Sequence, residues 1–245
     1  MRINAEFDRP ARVRYAEAEW SGSPSAGVER RMLDRIGEEV ARATSLVRFA
    51  PGASFAPHTH DGGEEYLVLE GTFQDENGDF PAGSYVRNPP GTSHRPAAAE
   101  GAVILVKLHQ FDPGDRTEVH ARCDPAAAEP VPGRPGVAVQ PLHRDAREDV
   151  RMEVWAPGAQ VALDLPGGAE LLVLDGACSE GGAEMGPWDW LRLPAGARLA
   201  AVAGPLGARL WVKTGHLAQP VGVAAEEAGP RAVRGRAPAC AGPTW

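Results

Sequence analysis

The sequence predicts an all-β protein of two tandem sandwich or barrel units, and three observations carry that reading. Short apolar or alternating runs recur along the chain, each bounded by clusters of Gly, Pro, Asn or Asp. With 29 Gly and 23 Pro in 245 residues, long helices have little room. The chain also repeats itself in order. Phe49-Ala-Pro-Gly-Ala53 matches Trp155-Ala-Pro-Gly-Ala159, and Glu65-Tyr-Leu-Val-Leu-Glu-Gly71 matches Glu170-Leu-Leu-Val-Leu-Asp-Gly176. Pro89-Pro-Gly91 matches Pro194-Ala-Gly196, and the VILVK of 103–107 matches the ARLWVK of 208–213. Apart from a one-residue slip between the first two matches the spacing agrees, which is the signature of two copies of one unit.

Taken in chain order, residues 30–40 are broken by Gly37 and read as strand and loop rather than helix. Strands follow at 44–50, 66–69, 84–87 and 102–108, with the Asn-Gly pair inside 75–79 marking a hairpin. Residues 124–135, DPAAAEPVPGRP, read as a Pro- and Ala-rich linker. The first unit then spans 1–123, the second 136–228, and residues 229–245, poor in large apolar side chains, read as a flexible tail.

A formal net charge of -8 with no stripe of Lys or Arg argues against nucleic acid as a partner. Cys123, Cys178 and Cys240 are odd in number and never paired as C-x-x-C, which argues against a disulfide framework and a cysteine zinc site. The first twenty residues hold no apolar signal segment, and no run approaches the ~18 apolar residues of a membrane span. A cytoplasmic protein with no membrane partner is the expectation.

The chemistry concentrates in the first unit. His58 and His60, at i and i+2 on a strand, present two imidazoles to one face. Glu64 follows across the Asp61-Gly62-Gly63 turn, and His94 follows the tight Asn88-Pro-Pro-Gly91 turn. Three imidazoles and a carboxylate make a nitrogen and oxygen site for one divalent transition metal: Zn, Fe(II), Ni or Mn. Glu65 competes with Glu64 for the carboxylate role. Gln74, Tyr85 and Arg87 are candidates for contacts behind the ligands or to a substrate. His109, His120, His143 and His216 read as ordinary, although His109 ends a strand near the barrel mouth. In the second copy Asp164, Pro166 and Leu199 stand where His58, His60 and His94 stand in the first, and only Glu170 survives, matching Glu65. That unit should hold no metal, with Trp155, Trp188, Trp190 and Trp211 filling the core or the interface between units.

The spacing resembles the two cupin motifs. Gly52, His58, His60, Glu64 and Gly71 meet G-x5-H-x-H-x3-E-x6-G throughout. Gly83, Pro89, Gly91 and His94 meet G-x5-P-x-G-x2-H-x3-N up to its final Asn, where Ala98 stands. The resemblance implies two tandem cupin barrels of the double-stranded β-helix, or jelly-roll, type. Residues 20–112 look like the cupin domain of ChrR-type anti-sigma factors, and the same stretch is similar to acetylacetone-cleaving-type dioxygenase relatives. The H-x3-C-x2-C zinc motif of the ChrR sigma-binding domain has no counterpart here, since no cysteine precedes Cys123.

Two functions follow from the resemblance: a metal-dependent enzyme, dioxygenase-like, acting on a small oxygen-bearing molecule, or a ChrR-like regulatory module that senses stress and acts on a regulatory protein. A sugar-phosphate isomerase is a weaker third, because no Lys/Arg grouping lies near the ligands in sequence. The expected partners are a small-molecule ligand or substrate and a regulatory protein, and a homodimer is compatible with the fold.

Overall fold

The computed structural model describes residues 1–38 and 40–223; the tail at 229–245 lies outside the described residues. Within them the chain is almost wholly strand, with one short 3-10 turn at Pro125–Ala127. Among the described residues no helix is long and apolar enough to cross a membrane.

The repeat in sequence is a repeat in topology. One sheet has the order Arg2–Ile3, Val28–Gly37, Ala41–Phe49, Ala102–Leu108, Glu64–Asp75, Ser84–Asn88, Val119–Arg122. The other has the order Glu129–Pro130, Val137–Arg144, Asp149–Trp155, Ala197–Thr214, Ala169–Glu180, Trp190–Leu193, Ala11–Val13. All these pairings are antiparallel. Residues 30–40, read as strand and loop, lie mostly in the ten-residue strand Val28–Gly37.

One outermost strand is exchanged between the units. Ala11–Val13 lies within the stretch read as the first unit yet pairs with Trp190–Leu193 of the second. Val119–Arg122 precedes the second unit and pairs with Ser84–Asn88 of the first. Trp190–Leu193 is therefore covered by a segment of the other unit, which pairs a row of backbone donors and acceptors that would otherwise form an edge. Glu129–Pro130, inside the stretch read as linker, forms a two-residue strand on Val137–Arg144.

Alternation along the strands sorts side chains between two environments. On Glu64–Asp75, Tyr66, Val68 and Phe73 enter the first unit's core, while Leu67 turns to the partner unit. The second unit has its own core, including Trp155, Leu165, Leu171 and Leu199. A third cluster lies between the units and contains Leu33, Leu46, Leu67, Tyr85, Trp190 and Trp211.

A buried charge network crosses that interface in both directions. Lys107 Nζ lies 2.6 Å from Glu170, and Lys213 Nζ lies 2.5 Å from Glu65 and 2.9 Å from Glu148. Tyr85 donates its hydroxyl to Glu65 at 2.7 Å; Trp190 at the matching place donates Nε1–H to Glu170 at 3.2 Å. Arg87 reaches Glu148 at 2.7 Å and Asp115 at 3.1 Å, while Arg192 reaches Asp34 at 2.9 Å. Removing one partner from such a buried pair strands an uncompensated charge, so the two units are held to one relative placement.

Candidate metal centre

His58, His60, Glu64 and His94 come together, each offering one ligand atom, all within 4.8 Å of one another. Two strands and two turns achieve this. His58–Thr59 pairs antiparallel with Ser93–His94, setting His94 directly opposite His58. The Asp61-Gly62-Gly63 turn then reverses the chain into the strand that begins at Glu64. Both glycines are required there. A Cβ on Gly62 would sit 2.3 Å from His109 Nδ1, and one on Gly63, at φ +76, would sit 2.4 Å from the Phe111 ring. The three imidazoles enclose a small volume, with ring centroids 4.5 to 5.2 Å apart.

The outer nitrogen of each ring fixes its tautomer. His58 Nδ1 lies 3.0 Å from the Ala56 carbonyl oxygen, which only accepts. His94 Nδ1 lies 3.1 Å from the Asp75 carboxylate. His60 Nδ1 lies 3.0 Å from Thr92 Oγ1, whose own hydrogen goes to the Pro89 carbonyl at 2.8 Å, leaving the oxygen to accept. All three rings thus donate from Nδ1 and keep a lone pair on Nε2. His60 Nε2, His94 Nε2 and Glu64 Oε2 are buried with no hydrogen-bond partner, and each Nε2 is 3.3 Å from that oxygen. Three buried orphans converging on one point form a hole that a cation fits, since native interiors otherwise satisfy such atoms.

The electrostatics agree. Burial, then the neighbouring imidazoles His94, His58 and His109, push the His60 pKa down to about 3, so the ring is neutral and ready to ligate. Burial also lowers His94, against the raising effect of Asp75. Burial raises Glu64 to about 7, against a hydrogen bond from Asn88 and with a further push from Asp75. A carboxylate so disfavoured as an anion would be stabilised by a positive ion.

Strand alternation separates Glu64 from Glu65: Glu64 faces the cluster, and Glu65 faces the second unit and Lys213. The same rule corrects two other expectations. Tyr85 and Arg87 point away from the cluster into the interface between units. The side chain from that strand that does reach the cluster is Asn88, on Glu64. Gln74 is turned to Asp79 at 2.7 Å and the Ala99 amide at 2.9 Å, outside the ligand set. Asp75, Thr92 and Asn88 do the supporting work instead. Asp75 was detectable in principle, because a carboxylate behind a ligand histidine is a recurrent arrangement.

The cluster opens onto a cavity of about 430 Å³ inside the first unit, walled by Val47, Phe49, Phe55, Phe73, Ile104 and Val106. His109 also reaches this wall. So do Arg30 and Arg35, from the strand Val28–Gly37. Proximity in sequence hides this basic pair, because the residues lie more than twenty positions upstream of His58.

In the second unit the matching place is apolar. Leu199 pairs with Leu163, where His94 pairs with His58 in the first unit, so Leu163 rather than Asp164 occupies the His58 position. This one-residue change from the sequence alignment absorbs the slip between the repeats. Leu165 and Leu199 are in the core, while Asp164 is exposed beside Arg198 at 3.0 Å. A second group of potential ligands, His143, Asp145 and Glu148, has Glu148 already engaged by Arg87 and Lys213.

The all-β architecture is the cupin fold, and comparison with known proteins agrees. Residues 8–112 match the family model of the ChrR cupin-like domain. Among solved structures, protein YlbA from E. coli superposes with a TM-score of 0.65 at 14% identity, covering 86% of this chain and 93% of that one. A protein described as a candidate dioxygenase from Nostoc punctiforme gives 0.62 at 16% identity, covering 89% and 84%. The pirin YhhW from Escherichia coli, in complex with nickel(II), gives 0.60 at 16% identity, covering 84% and 99%. At these identities the likeness establishes the fold. No curated protein matches the sequence.

Proposed function

We propose that this cupin is a metal-dependent enzyme of dioxygenase type, acting on a small oxygen-bearing organic molecule. The observation that supports it most is the convergence of His60 Nε2, His94 Nε2 and Glu64 Oε2, without partners, at the edge of a cavity of about 430 Å³. A purely structural metal site would be closed by its protein ligands; a catalytic one keeps room for a substrate beside the ion.

In this reading His58, His60, Glu64 and His94 would hold one divalent ion, with Zn, Fe(II), Ni and Mn all compatible with the donor set. The ion would supply Lewis acidity and, if redox-active, a meeting point for O2 and substrate. Ala56, Thr92 and Asp75 fix the three rings so that their lone pairs face inward. Phe49, Phe55 and Phe73 keep the cavity apolar and limit water. His109, on the same wall but outside the ligand set, is placed to accept a proton from an enolisable substrate. Dioxygenation places both atoms of O2 in the organic product, so no external reductant is required.

The test is oxygen uptake by the Fe(II)-loaded protein with small β-diketones, with the metal of the purified protein identified by elemental analysis. Oxygen consumption matched to diketone loss, and absent from the His60→Ala variant, is the expected result. A regulatory role is the second reading, favoured by the match of residues 8–112 to the ChrR cupin-like domain. No turnover with any of the four metals, together with a co-purifying sigma factor, would replace the enzyme reading with it.

A further inference from the structure

Two arginines stand on the wall of the cavity that holds the ligand cluster. Arg30 and Arg35 project inward from Val28–Gly37 because a register shift between Met32 and Asp34 returns Arg35 to the inner face. Their cross-strand neighbours are Val47 and Ala43, which also line the cavity. Following the ladder from Arg35 leads to Ala43, then Leu108, then Glu64. Arg35 therefore sits on the tier of the metal cluster, three strands away, or ~14 Å along the curved sheet at the usual strand spacing. The walls between are apolar: Val47, Val106 and Leu108.

Neither guanidinium forms an ion pair with a carboxylate among the described residues. Arg30 donates to Ser23 Oγ at 2.8 Å, and Arg35, although only 5% exposed, donates to a backbone carbonyl, that of Glu38. The Glu38 carboxylate, which feels the Arg35 charge, is exposed and taken by the terminal amine. Burial, then the like charge of Arg35, lowers the Arg30 pKa, as expected of two cations facing one partly enclosed space. A buried cation such as Arg35, kept without a carboxylate and beside the half-buried Arg30, is costly to the fold, which points to a ligand that supplies the negative charge.

We propose that the cavity takes a small organic monocarboxylate, its carboxylate gripped by Arg30 and Arg35 and its chelating oxygens turned to the His58, His60, Glu64 and His94 cluster. This rests on the metal-site reading above and adds the substrate class to it. Arg35, with its planar fork, suits a carboxylate, and the apolar tier between suits a short hydrocarbon spacer.

Zinc-loaded full-length protein tests it with two probes. Succinylacetone joins a β-diketone to a carboxylate through a short chain; its methyl ester keeps the diketone and removes the charge. Binding is read by calorimetry and zinc content by elemental analysis. The acid should bind more tightly than the ester by on the order of ten-fold, the worth of a charge-assisted contact. Arg35→Gln and Arg30→Gln should each erode that preference and leave ester binding unchanged, while Arg35→Lys, as a folding control that keeps the charge, should retain part of it. Equal binding of acid and ester by fully zinc-loaded protein overturns the substrate class alone. Protein that takes up no zinc overturns the metal site and this inference with it. Displacement of succinylacetone by inorganic phosphate at lower concentration would overturn the carboxylate assignment in favour of a phosphate ester.

Discussion

The two units of this chain share strand order and differ in what fills the inner end of the barrel. In the first, three imidazoles and a carboxylate surround a point where buried atoms lack partners. In the second, Leu163, Leu165 and Leu199 occupy the matching place and pack against a continuous apolar core. One scaffold thus tolerates either solution, because strands and turns set the positions and the side chains set the chemistry. Toward each other the units agree instead of differing: Glu65 with Lys213 mirrors Glu170 with Lys107. The repeat has diverged at its inner ends and stayed alike at its shared face.

The sharpest way to break this contrast is to remove a ligand. His60→Ala or His94→Ala should reduce bound metal from about one per chain to near zero, a larger loss than the ~10–100-fold that an outer partner's removal costs. His143→Ala, whose ring is turned to Asp145 at 3.3 Å, should leave metal content unchanged. Equal loss from both sets, by elemental analysis after dialysis, would sink the assignment of the site to the first unit.

The shared face predicts an effect on stability rather than on metal. Lys213→Met leaves Glu65 without its ion-pair partner and Glu148 with Arg87 alone, and should cost roughly 3–5 kcal/mol in denaturant unfolding. Adding Glu65→Leu should recover much of that loss, since an apolar pair of similar volume is often neutral. The pH dependence has a definite sign. Against the upward push of burial, Lys213 and Arg87 hold Glu148 well below the ordinary carboxylate range, and Lys107 and His216 do the same for Glu170. Depressed folded-state values mean that this stabilisation is fully present above the unfolded carboxylate pKa and is lost as pH falls toward the folded values. Stability should therefore decline on acidification below about pH 4, near the unfolded Glu value, and decline less steeply in the Lys213→Met variant.

The fold class, the repeat and the four clustered side chains were all legible in the sequence, because glycine turns and fixed spacings carry them. Tyr85 and Arg87 misled because nearness in sequence to a motif says nothing about which face of a strand a residue takes. Glu64 and Glu65 show the same point at single-residue scale, since one step along the strand separates the cluster from the interface. Arg30 and Arg35 were hidden because a bulge, which shifts parity without a sequence signature, aims Arg35 inward. The pairing of Ala11–Val13 with the second unit was hidden too, for a three-residue strand has no periodicity to read.

The subtlest test of the contrast uses one carboxylate position in its two settings. In the first unit Asp75 lies at the end of the strand Glu64–Asp75 and accepts from His94 Nδ1 at 3.1 Å. In the second unit Glu180 ends the matching strand and is paired with Arg12 at 2.6 Å, from the exchanged strand Ala11–Val13. The same place thus orients a ligand ring in one unit and pins a swapped edge in the other. Asp75→Asn keeps the size and removes the charge that holds the His94 tautomer, so metal affinity should fall ~10–100-fold while the fold is retained. Glu180→Gln weakens a partly exposed ion pair and should cost on the order of 1 kcal/mol of stability with no change in metal affinity. Competition titration against a chelator separates the two outcomes. A matching affinity loss from both variants would show that the units communicate through the shared face, and that the site is not the property of one unit alone.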